Sequence, residues 1–258
     1  MIENVKTALS ALTKPKQAFA KVSERQMAVW ITAMVMISLV LLIKPVVTAP
    51  AMQAEAQKAM RAELKNPDMP PEARAQIRKS VKDGIPTALI LLGGVGQTVA
   101  LWAGAALSAL LVMGLVKLFK GTIAYKGALA VIGLAFMPFF AGETIKTAAA
   151  SFTGNLGASE GMASLLAPPA GQAASASFSS SPGYILAGLT LSRIDIFVIW
   201  SLFLLAVGVI NLAGLSKAKG AALAVSYWVL AWAVVAIPAT GSLLLFAPMM
   251  SSTVRTAP

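Results

Sequence analysis

Few side chains in this sequence have the type and spacing that catalysis or metal binding requires. The chain contains no histidine and no cysteine, so the usual general base and the commonest soft metal ligands are missing. A serine nucleophile would want a Gly-x-Ser-x-Gly turn, and the nearest string, Gly214-Leu215-Ser216-Lys217, lacks the second glycine. An aspartyl dyad needs two aspartates inside the membrane, and Asp195 lies only at the border of an apolar run. We therefore predict no enzyme, no metal site and no cofactor.

Polar residues inside the apolar runs are the second group that could do chemistry. Gln97, Thr98 and Asn211 lie in long uncharged stretches, and Pro138 and Pro238 could break the helices there. Polar groups that meet at mid-membrane on broken helices are typical of transporters, so a small transporter or channel is the alternative hypothesis. A single Gln or Asn more often bonds a neighbouring helix.

Small residues form a stripe in one of the apolar runs. Gly96, Ala100, Gly104 and Ser108 recur at four-residue spacing. In lipid, small residues let two helices approach closely, and packing rather than hydrophobicity drives their association. The stripe predicts a helix contact, either within the chain or in a homo-oligomer.

Composition indicates that the elements positioning these residues are membrane helices. The chain is 57% hydrophobic and 12% charged, against about 25% charged residues in soluble domains. Long uncharged runs then mean membrane spans. The net charge of +11 does not indicate nucleic acid, because most of the basic residues flank the apolar runs. Anionic lipid headgroups are the simpler partner.

Five apolar runs predict an all-α fold, a bundle of five transmembrane helices. They are residues 27–47, a stretch within 85–116, 127–142, 194–215 and 221–246. In the fourth, residues 196–216 are uncharged, which gives about 30 Å of helix. Asp195 and Trp200 lie near one end and Lys217 at the other, as bilayer interfaces favour.

The third run is the least clear span. Residues 127–142 reach only about 24 Å as a helix. Lys126, Glu143 and Lys146 would have to extend to the headgroups, and Pro138 is predicted to kink the helix near the end of the run.

Asp195 has two interpretations. It is either an acid that starts the fourth span, favourable against the positive end of the helix dipole, or a buried partner of Arg193 or Lys146 that fastens the fourth span to the third.

The remaining segments divide into an N-terminal part and two loops. Residues 1–26 are predicted to be an amphipathic interfacial segment, and residues 27–258 the membrane domain. The interfacial prediction rests on the helical spacing of Ile2, Val5, Leu9 and Leu12, with Pro15 beginning a second short helix. A soluble helix packed on the cytoplasmic loops is the alternative. Residues 48–84 are expected to form an outer helical loop, and residues 148–183, rich in Ala, Ser and Gly, a flexible outer loop.

The distribution of lysines predicts the topology. The short turns that contain two or three lysines, such as Lys117 with Lys120 and Lys217 with Lys219, all fall on one side of a five-span chain. The positive-inside rule places that side, and the N-terminus, in the cytoplasm. The C-terminus is then outside.

Three stretches resemble the Yip1 family of polytopic membrane proteins in its bacterial form. The first is Lys14-Pro15-Lys16-Gln17-Ala18-Phe19, similar to a Pro-x-x-x-Phe segment before the first span. The second runs from Gly121-Thr122-Ile123-Ala124-Tyr125-Lys126 through Val131-Ile132-Gly133-Leu134-Ala135 to Pro138. The third is Asp195-Ile196-Phe197-Val198-Ile199-Trp200-Ser201 with Gly208 and Lys217-Ala218-Lys219-Gly220-Ala221.

The resemblance implies five helices, a cytosolic N-terminus and, for the bacterial form, the inner membrane. It implies a non-catalytic scaffold or accessory protein that binds another membrane protein, with an ABC-type exporter as one candidate. The Asp-Leu-Tyr-Gly-Pro motif of the eukaryotic members is missing here, so their GTPase binding is not transferred to this chain.

The topology can be tested by cysteine labelling, because the chain has no native thiol. We expect Thr253→Cys to react with a membrane-impermeant maleimide added from outside the cell. Labelling of this position from the cytoplasmic side alone would contradict the five-span prediction.

Overall fold

The described part of the chain is built from helices. The computed structural model describes residues 2–22, 26–64, 69–84, 86–153 and 195–234, and no strand occurs among them. The helices are α1 (Ile2–Ser10), α2 (Pro15–Val22), α3 (Gln26–Glu63), α4 (Pro71–Asp83), α5 (Thr87–Leu118), α6 (Tyr125–Ala135), α7 (Met137–Thr153), α8 (Ile196–Ala213) and α9, described over 217–234. The all-α prediction is confirmed.

Four stretches among the described residues are long and apolar enough to cross a membrane. They are Gln26–Glu63, Ala88–Leu118, Tyr125–Phe152 and Ile196–Ala213. The predicted fifth span begins in α9, but residues 235–246, including Pro238, lie outside the described residues. The fifth span therefore stays a prediction. The predicted loop 148–183 is also outside them, except that residues 148–153 continue α7.

The first span is longer than its sequence predicts. The predicted run ends at residue 47, yet α3 continues through Pro45 and Pro50 to Glu63, about 57 Å of helix. A proline removes one backbone hydrogen bond, which neighbouring groups in a membrane bundle can replace. Pro45 packs against Gly94 of α5, where a Cβ would lie 2.9 Å from its ring, so tertiary packing supports the helix at this point.

The third span, which was the least clear in the sequence, lies at the centre of the bundle. In the third span 67% of the apolar stretch is buried within the chain, against 28–33% in the other three. Every residue of α6 from Gly127 to Ala135 is buried, and α6 packs against α3, α5 and α8. Its short uncharged run therefore reflects a helix surrounded by protein rather than by lipid.

Pro138 lies two residues after a break in the third span, which falls at Phe136. Helix α6 ends before Phe136, and Pro138 is the second residue of α7. A non-proline residue at 138 would donate to the carbonyl of Leu134. That carbonyl instead accepts from the backbone N–H of Phe136, so the bundle tolerates the missing donor.

The N-terminal helices pack on the bundle. Helix α2 lies against α8 and α1 lies against α3. Five residues of this N-terminal part are fully buried: Ala8, Ala11, Ala18, Phe19 and Val22. Of the predicted apolar stripe, Ile2 and Leu9 remain 74% and 41% exposed. The packed face thus differs from the predicted stripe, and contact of Ile2 and Leu9 with lipid stays a prediction.

Phe19 is the residue that anchors α2. Its ring fills a socket formed by Gly208 of α8 and Val131 of α6, and a Cβ on Gly208 would lie 2.9 Å from both. We define this contact as the Phe19 socket. A side chain at residue 208 would push the ring out, so glycine is required for the close approach.

Replacing Phe19 tests whether the socket holds α2 on the bundle. Phe19→Ala should lower the free energy of unfolding by about 3–5 kcal/mol, because it removes a fully buried ring and leaves a cavity. Leu9→Ala, at an exposed position of α1, is the control and should change stability little. Thermal unfolding of the purified chain in detergent measures both, and equal shifts would contradict the anchoring role.

Candidate functional site: the ion-pair network and the lysine end

Four charged side chains join three helices at one end of the bundle. Lys44 Nζ of α3 lies 2.7 Å from Glu143 Oε2 of α7. Lys146 of α7 lies 3.7 Å from Glu143 Oε1 and 3.5 Å from Asp195 Oδ2 at the start of α8. We call these four residues the ion-pair network, and their formal charges cancel.

The carboxylates of the network are more buried than the lysines. The Glu143 and Asp195 side chains are 10% and 14% exposed, whereas Lys44 and Lys146 are 30% and 23% exposed. A buried pair adds little net stability, but removing one partner strands the other charge. The network therefore fixes the relative positions of α3, α7 and α8, because other arrangements would separate its charges.

Asp195 fulfils both roles that the sequence left open. Its backbone is extended, and its Oδ1 accepts a hydrogen bond of 2.6 Å from the backbone N–H of Phe197. This is an N-cap, which satisfies a donor that the helix itself cannot. The other oxygen, Oδ2, faces Lys146. Arg193 lies outside the described residues.

A close glycine contact lies beside the network. A Cβ on Gly142 would come within 2.8 Å of the Phe197 ring, so α7 and α8 touch at the residue before Glu143. Sequence reasoning missed this contact. The contact could have been predicted from the glycine inside an apolar run. A glycine weakens a helix, so its presence there often indicates close packing against another helix.

The predicted small-residue stripe lies on another side of α5. Around Gly96 and Gly104 no described atom comes within 4 Å of an added Cβ, and Ala100 is exposed. At Ser108 the stripe meets α9, where the Tyr227 hydroxyl donates to Ser108 Oγ over 2.9 Å. Helix α5 uses a different face, with Gly94, Ala105 and Ala109 buried, for its contacts with the bundle.

Two tryptophans that the sequence did not single out meet between α3 and α5. The rings of Trp30 and Trp102 pack edge to face with centroids 5.2 Å apart. Trp102 also donates its indole N–H to Ser38 Oγ over 2.9 Å. Trp200, predicted to lie at an interface, is half-buried in α8 against the core.

Thr98 and Asn211, two of the polar residues considered for transport, lie far apart. Asn211 is two residues from the end of α8, and its amide donates to Val207 O over 2.7 Å. Thr98 donates to Gly94 O over 2.9 Å, and it lies about 30 Å of helix from Leu118 at the opposite end of α5. Each of these side chains therefore donates to a backbone carbonyl of its own helix.

The opposite end of the bundle carries most of the described lysines. Here α3 begins, α5 ends, α6 begins and α8 ends, and we call it the lysine end. Lys219 donates to Phe119 O over 3.1 Å, which joins the two short turns. The exposed lysines at this end are Lys6, Lys14, Lys16, Lys21, Lys117, Lys120, Lys126, Lys217 and Lys219, and Glu3 is the acid among the described residues there.

Apolar helices held together by ion pairs and close small-residue contacts define a polytopic α-helical membrane protein. The Yip1 domain family model matches residues 9–238, so the chain belongs to the Yip1 domain family. No curated protein and no solved structure matched the chain. The Phe19 socket brings together residues from all three stretches that resemble the family: Phe19, Val131 and Gly208.

The energetic role of the network can be measured by removing single charges. Glu143→Gln should lower the free energy of unfolding by about 1–3 kcal/mol, below the range of about 3–5 kcal/mol for a fully buried pair, because both lysines retain access to water. Asp195→Asn should cost less, about 1 kcal/mol, since Asn keeps the N-cap and loses only the longer ion pair.

Two further variants separate the cap from the charge. Asp195→Ala loses both and should cost about 1 kcal/mol more than Asp195→Asn. In the double variant Asp195→Asn with Lys146→Gln, the two effects should be less than additive. Strict additivity in thermal unfolding would show that Lys146 and Asp195 do not interact.

Proposed function

We propose that this protein is a non-catalytic membrane scaffold or accessory protein that binds another integral membrane protein. The observation that supports this is the open stripe of Gly96, Ala100 and Gly104 on α5. Among the described residues, the close glycine contacts of the bundle are made by other faces, so a further helix has room to approach Gly96 and Gly104.

The depth of the stripe favours a transmembrane helix as the ligand. Gly104 is 14 residues before Leu118, where α5 ends, which places it about 21 Å from the lysine end. That depth lies within the hydrocarbon core of about 30 Å. At this depth a small-residue surface is filled by another helix through close packing.

The charges of the bundle support a binding role rather than chemistry. Glu143 and Asp195 pair with Lys44 and Lys146, so these charges are engaged in holding helices together. We place the protein in a bacterial inner membrane with the lysine end in the cytoplasm, following the positive-inside rule. An ABC-type exporter is a candidate partner through the family resemblance.

Substitution within the stripe tests the proposal. Gly104→Leu should leave the chain folded, because no described atom lies within 4 Å of a Cβ there. It should abolish co-purification of a membrane partner from native membranes after mild crosslinking, since a leucine holds the two backbones apart.

Gly114→Leu provides a matched control. It makes the same change in the same helix, also in open space among the described residues, but outside the stripe. It should retain the partner. A wild-type chain that stays solitary under crosslinking would contradict the proposal, and crosslinks only to a second copy of this chain would replace it with a homo-oligomer.

A further inference from the structure

The lysine end lies at the depth of lipid headgroups. All four candidate spans begin or end there, and the turn contact between Lys219 and Phe119 fixes the two short loops at the same level. Helix α2 is held at this level too, because Phe19 packs on Gly208, only about 8 Å along α8 from its end at Ala213.

Helix α2 presents its two sides to different surroundings. Ala18, Phe19 and Val22 are fully buried against the bundle, while Lys16 and Lys21 are exposed, as is Lys14 just before the helix. The buried face leaves α2 no freedom to turn its lysines inward. Its cations are therefore held in place at the surface rather than distributed over a mobile tail.

Exposed apolar side chains occur on two other helices of the bundle. Ile2 of α1 and Leu118 at the end of α5 are each 74% exposed. A surface with both exposed apolar and exposed cationic side chains suits the boundary between acyl chains and headgroups, because the apolar side chains enter the acyl region and the cationic ones meet phosphates. A nucleic acid or a hydrophilic protein bound at this end would leave these apolar side chains exposed to water.

We infer that the lysine end binds anionic phospholipid headgroups in preference to zwitterionic ones, with Lys14, Lys16 and Lys21 of α2 as the principal cationic contacts. Lys219 contributes less, because its ammonium is engaged by the Phe119 carbonyl. Glu3 is the acid among the described residues at this end, and one carboxylate leaves the surface strongly positive. This inference does not depend on the proposed binding of a protein partner.

Lipid binding by the full chain tests the inference. Native mass spectrometry of the detergent-solubilised protein, titrated with phosphatidylglycerol or phosphatidylcholine, gives the dissociation constant for each lipid. We expect tighter binding of phosphatidylglycerol. The triple variant Lys14→Gln, Lys16→Gln, Lys21→Gln should weaken phosphatidylglycerol binding about tenfold or more and leave phosphatidylcholine binding unchanged, because each lysine near a headgroup adds attraction for anionic lipid.

A matched control removes the same charge elsewhere. Lys58, Lys79 and Lys82 are exposed on α3 and α4, and Lys58 lies about 48 Å along α3 from Gln26, beyond a bilayer of about 40–45 Å including headgroups. Lys58→Gln, Lys79→Gln, Lys82→Gln should keep the lipid preference. Arginine at positions 14, 16 and 21 should keep it as well, which separates loss of charge from loss of fold.

Three results would overturn the inference. The first is equal weakening by the two glutamine triples, which would show a response to net charge alone. The second is the absence of any preference for phosphatidylglycerol in the wild-type chain. The third is displacement of phosphatidylglycerol by an acidic peptide at equal concentration, which would identify this end as a protein-docking surface.

Discussion

The close packing of α6 is the constraint on which the rest of the bundle depends. Lipid tails are as apolar as the helices, so in a bilayer the helices gain little by hiding apolar surface from water and must fit by shape. Helix α6 fits because Gly127, Ala128, Ala130, Gly133 and Ala135 are small, and all of them are buried. Helices α3, α5 and α8 therefore approach it closely. Their positions around α6 determine which side chains can meet at either end.

The two ends of the bundle are then held by different interactions. At one end Glu143 and Asp195 join α3, α7 and α8 through Lys44 and Lys146, and these attractions are stronger where water is partly excluded. At the other end shape dominates, since the Phe19 ring occupies the space that a side chain at Gly208 would need. A bundle fastened at both ends can present a fixed outer surface. A fixed outer surface is what the proposed scaffold role requires.

Membership of the Yip1 domain family and this arrangement fit one another. The stretches that resemble the family are far apart in the chain, yet Phe19, Val131 and Gly208 meet in one contact, and Asp195 from the third stretch caps α8 while pairing with α7. These residues explain how the helices are held together. Among the described residues, two surfaces remain open to interaction. They are the side of α5 with Gly96 and Gly104, and the exposed lysines of the lysine end.

The sequence by itself determined the features that depend on neighbouring residues in the chain. Uncharged runs predicted the four described spans, because the transfer of a helix into lipid depends on its own composition. A helix-start acid was one of the two interpretations of Asp195 at the start of α8, since its nearest backbone donors are only two or three residues ahead. The tertiary structure alone decided which faces touch. Spacing marks a stripe of small residues but does not say which helix it touches. The close glycine contacts of the bundle include Gly94, Gly142 and Gly208, whereas Gly96 and Gly104 of the predicted stripe have no described atom within 4 Å of an added Cβ. The tertiary structure also decided that α3 continues through Pro45, because the contact that supports the helix there comes from Gly94 on α5.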